Sequence, residues 1–469
     1  MSPRSDRVIA GRFCISLLLG ALALAPPGRG LAQEPVSAPV AALVAASTGR
    51  HAEALALARA MLQVSPDDAF AHYVIGTVML WQGNAREAML AGQRAFRAAA
   101  SKVQKHESAR LVATAAVQAD KRLAARYWLR HAADTAPDPT RRAAAEAALA
   151  RLRAATPWSA QLRFGIQPSS NVNAGASSRI NVIDGIPITG VLSEDALALP
   201  GLVGTLDAQI GLRLAASAQS RTTASLRLFA RAVELEGTPY VETTTLAGET
   251  LRREISNASL SSGALELGLE HMVATPQLGG SVALALAAGR SWSGGDFGYD
   301  YLRLSADRNP QAAGPFYGAA FEQRRAADPR RDQSIASLRG GWRVARGNGD
   351  RITLGFGLGH VGSDFANARS TSVSAQISYQ PQRQLGPFGY SASFGVSFAD
   401  YPDYAVGFLA VPGGRQDQLG FAELDLWLPK KSFAGFSPQI RLRAVETRSN
   451  VSRFARHELS LSAGFRSNF

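Results

Sequence analysis

The rhythm of apolar and polar positions changes once along this chain, at Pro157. From about residue 33 to Ala154 the apolar residues recur at helical spacing, which predicts an all-α segment. After Pro157 the period is two. Trp158, Ala160, Leu162, Phe164 and Ile166 alternate with Ser159, Gln161, Arg163, Gly165 and Gln167. The same beat recurs in Leu206 to Leu214, Thr222 to Leu235, Leu260 to His271, Val282 to Trp292, Ala336 to Val344 and Ile352 to Leu358. It continues in Thr371 to Tyr379, Phe388 to Phe398, Leu419 to Leu428, Phe436 to Ala444 and Leu459 to Phe469. These twelve segments predict strands that are apolar on one face and carry Ser, Gln, Gly, Arg or small residues on the other. A soluble sandwich would bury a bulky second face. Here that face is too polar for a core, so it predicts a water-facing lumen inside an antiparallel transmembrane β-barrel.

Loop lengths carry the topology further. Short turns at Lys430 to Gly435, Arg383 to Pro387, Arg346 to Asp350, Thr275 to Gly280 and Ala216 to Ser220 alternate with longer connections. The latter run Glu446 to Arg456, Asp400 to Gln416, Val361 to Ser370, Trp292 to Arg331, Glu236 to Asn257 and Val172 to Gly204. Short periplasmic turns and long external loops alternate in this way, which places both ends of the barrel in the periplasm. Either of the two longest insertions has room for another hairpin, so the count is 12 to 14 strands.

The helical segment repeats itself. Gly49-Arg50-His51-Ala52-Glu53-Ala54 returns 34 residues later as Gly83-Asn84-Ala85-Arg86-Glu87-Ala88, the period of tetratricopeptide helix pairs. A looser third copy follows at Ala119-Asp120-Lys121-Arg122-Leu123-Ala124, and Pro137-Asp138-Pro139 opens a last helix. Ser65-Pro66-Asp67-Asp68 is expected to cap and restart a helix, with the proline in its first turn. Small residues (Ala54, Ala58, Ala88, Gly92) stand where paired helices touch, and Leu55, Leu62, Tyr73, Trp81 and Phe96 are expected to be core. Such arrays offer a concave face to peptides or proteins, which points to a partner and not to a chemistry.

The N-terminus and charge narrow the compartment. Arg4, Arg7 and Arg12 precede an apolar run from Phe13 to Ala25, then Pro26-Pro27 and the small-x-small site Gly30-Leu31-Ala32. This predicts a signal peptide over 1–32 rather than an anchor helix, followed by a helical domain over 33–154 and the barrel over 155–469. The sole cysteine, Cys14, lies in the leader, so no disulfide or thiolate metal site is expected downstream. No later segment is apolar enough for a membrane helix, so a membrane location requires a barrel. The formal charge of +13 is spread through alternating strands, which argues against nucleic acid and for a basic lumen or a surface facing anionic lipid head groups.

The sequence carries no legible catalytic, cofactor or metal constellation, and an enzyme is not expected. Ser220 and Ser262 lack a glycine-elbow setting, and His271, His360 and His457 stand singly. Asp296, Asp300 and Asp307 do not have EF-hand spacing. Gly355-Phe356-Gly357-Leu358-Gly359 leads to no helix, so its glycines are expected to make room in the barrel wall.

Certain residues carry a family resemblance. Gly435-Phe436-Ser437-Pro438-Gln439-Ile440-Arg441-Leu442-Arg443, then Arg448-Ser449-Asn450, Arg456 and terminal Phe469, resemble the end of surface lipoprotein assembly modifiers. Ser170-Asn171-Val172-Asn173 looks like that family's early serine-asparagine motif, and Arg331-Asp332 before a strand is also similar. The resemblance spans the mature chain in domain order. It implies fourteen strands, an outer-membrane location with a periplasmic helical domain, and transport of lipoproteins, or of soluble partners such as haem-binding proteins, across the membrane. It also implies that the last strand is read by the barrel assembly machinery, with Phe465, Ala463 and Leu461 on its face and Ser467 departing from the usual apolar residue. An exopolysaccharide export porin or a general outer-membrane channel is the alternative, although polysaccharide exporters would be expected to carry many more repeats.

Overall fold

The structure is a computed structural model that describes residues 37–244, 249–429 and 436–467. Residues 1–32 with Cys14, expected to be a leader, residues 430–435, expected to be a short turn, and Phe469 lie outside the described residues. Two compact units divide between Ala115 and Ala116, within the fifth helix.

The helices are α1 (Ala38–Ser47), α2 (His51–Val64), α3 (Ala69–Trp81), α4 (Ala85–Ala98), α5 (Lys102–Gln118), α6 (Arg122–Asp134) and α7 (Pro139–Ala155). The repeated sequence motif is the turn between paired helices. Gly49 and Gly83 take φ of +79° and +84°, and in the third copy Asp120 takes +52°, which puts the turn one residue later than the sequence alignment on Ala119 has it. The amides of Arg50, Asn84 and Lys121 then reach back to the carbonyls of Ala45, Met79 and Ala116 at 2.8–2.9 Å, closing the preceding helix. Aspartate tolerates the left-handed region better than most residues, which explains a third copy without glycine.

Small residues do mark the contacts: Ala54, Ala58 and Ala88 are wholly buried. A Cβ on Gly92 would stand 2.6 Å from Val112 Cγ2. Leu55 and Leu62 pack on this core, whereas Trp81, expected inside, is 42% exposed at the end of α3 beside the His51 ring. Asp68 caps α3 by accepting from the Ala71 amide at 2.7 Å, so Pro66 falls in the preceding turn and not in the helix.

The second unit holds fourteen strands that close into one antiparallel barrel. They are β1 (Trp158–Ser169), β2 (Gly201–Ala216), β3 (Ser220–Leu235), β4 (Ser262–Thr275), β5 (Gly280–Ser293), β6 (Asp296–Pro310) and β7 (Gly314–Ala326). The circuit continues with β8 (Gln333–Ala345), β9 (Arg351–Ser363), β10 (Ser370–Gln380), β11 (Gly389–Tyr401), β12 (Arg415–Trp427), β13 (Phe436–Ser449) and β14 (Arg456–Ser467). Each strand pairs with its sequence neighbours, and β14 returns to β1. Both β1 and β14 have their outer termini at the end bearing the short connections, the turn end; the other is the loop end.

One connection read as a loop is a correction: Trp292 to Arg331 contains β6 and β7. The glycines Gly294 and Gly295, at φ +67° and +88°, join β5 to β6 in a two-residue turn at the loop end, so long and short connections do not alternate strictly. Charges on both faces of β6, with Asp300 and Arg308 outward and Arg303 and Asp307 inward, mask the apolar beat. The other long insertion forms a small hairpin, Ile180–Ile183 with Ile186–Val191, that stays out of the wall.

Strands of 11–16 residues at about 3.3 Å per residue, tilted, are long enough to cross an outer membrane. The outward rows are apolar and bare, with Leu304 60% and Phe356 62% exposed. Outward aromatics Trp158, Tyr317, Trp342, Tyr379 and Tyr390 gather at the turn end, where a membrane interface girdle belongs. The chain is an outer-membrane barrel.

Candidate functional site

The inward rows build a lumen with two charged sectors. In the first, Arg227 grips Asp207 through two bonds of 2.8 and 3.0 Å, and Arg163 lies 3.8 Å from the same carboxylate. Glu266 accepts from the Tyr301 hydroxyl at 2.7 Å and from Arg303 at 3.2 Å; Arg303 and Arg324 both bind Glu322 at 2.6 Å. In the second, Arg441 pairs with Asp425 at 2.7 Å and Arg443 lies 3.5 Å from Glu423. Arg441 and Arg443 therefore face the lumen as their alternation with Ile440 and Leu442 predicts, and each has a carboxylate across the strand pair. Between the sectors, the mid-strand inward positions of β9, β10 and β11 are Gly355, Gly357, Gly359, Ser372, Ser374, Gln376, Ser378, Ser391, Ser393, Gly395 and Ser397, without a charge. The glycines do make room: a Cβ on Gly357 would lie 2.7 Å from Ser374 Oγ.

At the loop end the sequence motifs converge. Asn171, buried, donates to the Gly175 carbonyl at 2.9 Å and accepts from its amide at 2.7 Å. Asn173 donates to the carbonyls of Asp195 (3.0 Å) and Leu197 (2.6 Å) and accepts from the amides of Leu199 (3.0 Å) and Gly175 (3.3 Å). The two asparagines thus fold the first loop on itself, since one side-chain amide both donates and accepts. Ser170 is exposed beside them. From the other end of the chain, Arg456 donates to the Ala174 carbonyl at 3.3 Å and Ser449 accepts from the Val451 amide. Asn450 accepts from Gln416 and donates to Gly414, each at 2.8 Å, while its carbonyl takes the Asp184 amide.

Apolar packing completes this knot. Val172 and Leu199 cover Val203, Val233 and Leu235, which belong to the inward rows of β2 and β3, so the first loop folds into the mouth. With the seven loop-end connections numbered in chain order, Val451 of the seventh loop (β13 to β14), fully buried, packs with Ile183 of the first (β1 to β2) and with Tyr404 and Val411 of the sixth (β11 to β12). Two residues that sequence reasoning missed hold it. Arg231 donates to the carbonyls of Leu260 (2.7 Å) and Val172 (2.6 Å), and Arg415 lies against the rings of Phe454 (3.5 Å) and Tyr401 (3.9 Å) while pairing with Asp417 at 2.7 Å. The inward parity of Arg231 was readable, whereas Arg415 fell in the connection Asp400 to Gln416; the partners of neither were readable.

No protein-family model matches this chain, and no curated protein matches it. Among solved structures it is similar to Pseudomonas putida OprB at high pH (10% identity, TM-score 0.37, 69% of this chain and 97% of that one). It is also similar to a bacterial polysaccharide outer membrane secretin (10%, 0.35, 66% and 98%) and to the beta domain of the Bordetella autotransporter BrkA (13%, 0.29, 67% and 100%). Overlaps this loose say nothing about what passes through this lumen.

The residues considered for chemistry are kept apart. His271 on β4 bonds Thr222 at 2.9 Å and His360 on β9 bonds Thr371 at 3.1 Å, both on outward rows, while His457 lies on β14. Asp300 pairs with Arg290 at 2.7 Å and Asp307 with Arg339 at 2.8 Å, on opposite faces of β6.

Proposed function

We propose that this barrel moves a partner protein across the outer membrane, as the resemblance to surface lipoprotein assembly modifiers implies, with the helix pairs receiving that partner on the periplasmic side. The single observation that carries the reading is the loop-end knot. Asn171 and Asn173 stand some 280 residues from Asn450 and Arg456, yet all four tie the first loop into the mouth, while Ser449 bonds only the Val451 amide beside it. A conduit for a large cargo has to stay shut between transits, and a mouth filled by ordered, hydrogen-bonded loops supports that use. The cargo is a lipoprotein or a soluble protein; the other partners are the barrel assembly machinery and outer-membrane lipids. The reading requires no catalytic group and no cofactor.

A second reading, an exopolysaccharide export porin or general channel, draws support from the uncharged hydroxyl- and amide-lined wall of β9 to β11. A clean deletion strain separates the two. The product of the neighbouring gene should be made in normal total amount but fail to reach the cell surface, measured by surface labelling against whole-cell content. Normal display would overturn the translocation reading and favour the channel.

A further inference from the structure

We infer that the lumen contains a carboxylate-binding recess on the inward rows of β6 to β10, independent of what the barrel transports. The recess has a volume of about 360 Å³ and is lined by Asn309, Phe316, Arg339, Arg343, Ser374 and Gln376 together with backbone of β9. It exists because side chains are missing from its floor. A Cβ on Gly341 would stand 2.5 Å from the Phe316 ring and one on Gly355 3.2 Å from Gln376, so glycine at both positions lets Phe316 lie across β8 and leaves the space open.

The charge in the recess does not balance. Asp307 is the carboxylate beside the two arginines, and it is engaged by Arg339 at 2.8 Å. Arg343 has no carboxylate partner among the described residues. It lies over the Phe316 ring, 5.5 Å from the centroid, with one long contact of 3.5 Å from Nη2 to Asn309 Oδ1. The ring holds the guanidinium beside the recess through a cation–π contact, and a planar fork with unused N–H groups matches a carboxylate. Across the space, the Ser374 hydroxyl and Gln376 amide add neutral donors. A cation would meet a net positive wall, and an apolar ligand would strand these donors. A ligand bearing a carboxylate satisfies both charge and hydrogen bonds.

The carboxylate has two sources: a free small acid, or an acidic side chain of a passing polypeptide. The test uses the full chain folded in detergent and titrated calorimetrically with citrate and, separately, with a hexaglutamate peptide. Saturable binding of citrate, weakened roughly tenfold or more in Arg343→Gln and less in Arg343→Lys, is the expected result; tenfold corresponds to about 1.4 kcal/mol. Arg466→Gln, on β14 and away from the recess, should bind as the unsubstituted chain does. Hexaglutamate binding with the same Arg343 dependence would assign the recess to acidic chain segments as well; citrate binding alone would assign it to free acids. Heat-modifiable migration of every variant shows that the barrel is closed. No saturable binding of either probe, or equal affinity in a folded Arg343→Gln, would overturn the proposal.

Discussion

Asp350, at the turn joining β8 to β9, shows how one side chain sets the pH response of a barrel end. Its carboxylate accepts from the Gln382 amide at 3.0 Å, the Tyr379 hydroxyl at 2.7 Å and the Asn348 amide at 2.9 Å. The Gln382 amide above all, then the Tyr379 hydroxyl, hold its pKa below the ordinary carboxylate value. A depressed carboxylate contributes its full stabilisation above the unfolded value and loses it as pH falls through the folded one. Acidification through and below the usual carboxylate range should therefore lower the temperature of heat-induced mobility change. Asp350→Asn should begin lower at neutral pH and lose less on acidification; an unchanged pH response in that variant would remove Asp350 as the cause. At the mouth, Asn173→Ala deletes a side chain that makes four bonds to backbone. It should cost the first loop about 1–3 kcal/mol. Limited proteolysis between Val172 and Leu199 should accelerate while the barrel stays closed; cleavage at the original rate would mean the loop is held elsewhere.

Among the elements, the closing pair β1 and β14 is the weak seam. Its pairs are Arg163 with Arg466, Phe164 with Phe465, Gly165 with Gly464, Ile166 with Ala463 and Ser169 with Ser460, and the ladder is interrupted at Gln167 and Pro168. Proline has no N–H to give, and like charges directly opposite each other destabilise a sheet. The stacked rings of Phe164 and Phe465, 5.1 Å apart, oppose that weakness. By contrast, β8 and β9 pair without a break from Gln333 to Ala345. A Cβ on Gly464 would lie 2.4 Å from the Phe164 carbonyl oxygen, so Gly464→Val should cost about 1–3 kcal/mol through overpacking. The measured effect should be loss of the compact, heat-modifiable band, and a Gly340→Val control on β8, where a Cβ meets nothing nearer than 3.7 Å, should keep it. Equal loss in both variants would show that the seam is no weaker than the rest of the wall.

At the scale of the whole molecule, the distribution of connections predicts orientation. The hairpin of the sixth loop puts Phe408 at its tip, 95% exposed, while the turn from Arg346 to Asp350 lies at the end shared with both barrel termini. An epitope inserted between Val406 and Gly414 should be labelled on intact cells, and one between Arg346 and Asp350 only after the envelope is opened. The reverse pattern would invert the proposed topology.

The sequence alone determined what depends on neighbouring residues. The switch from helical period to alternation at Pro157, the inward parity of Arg441 and Arg443, the room-making glycines of β9 and the helix-closing turns at Gly49 and Gly83 all follow from local geometry. Tertiary structure decided what depends on residues brought together from far apart. Alternation cannot separate a strand from a loop when charge sits on both faces, so β6 and β7 emerge only from their pairing with β5 and β8. Nor does a motif such as Asn171 and Asn173 reveal its partners, because hydrogen bonds to backbone carbonyls carry no side-chain signature in the sequence. Closure of β14 onto β1 brings Arg456 to Ala174 and the seventh loop to the first. That contact, made only when the sheet closes, turns two scattered motifs into one structured mouth.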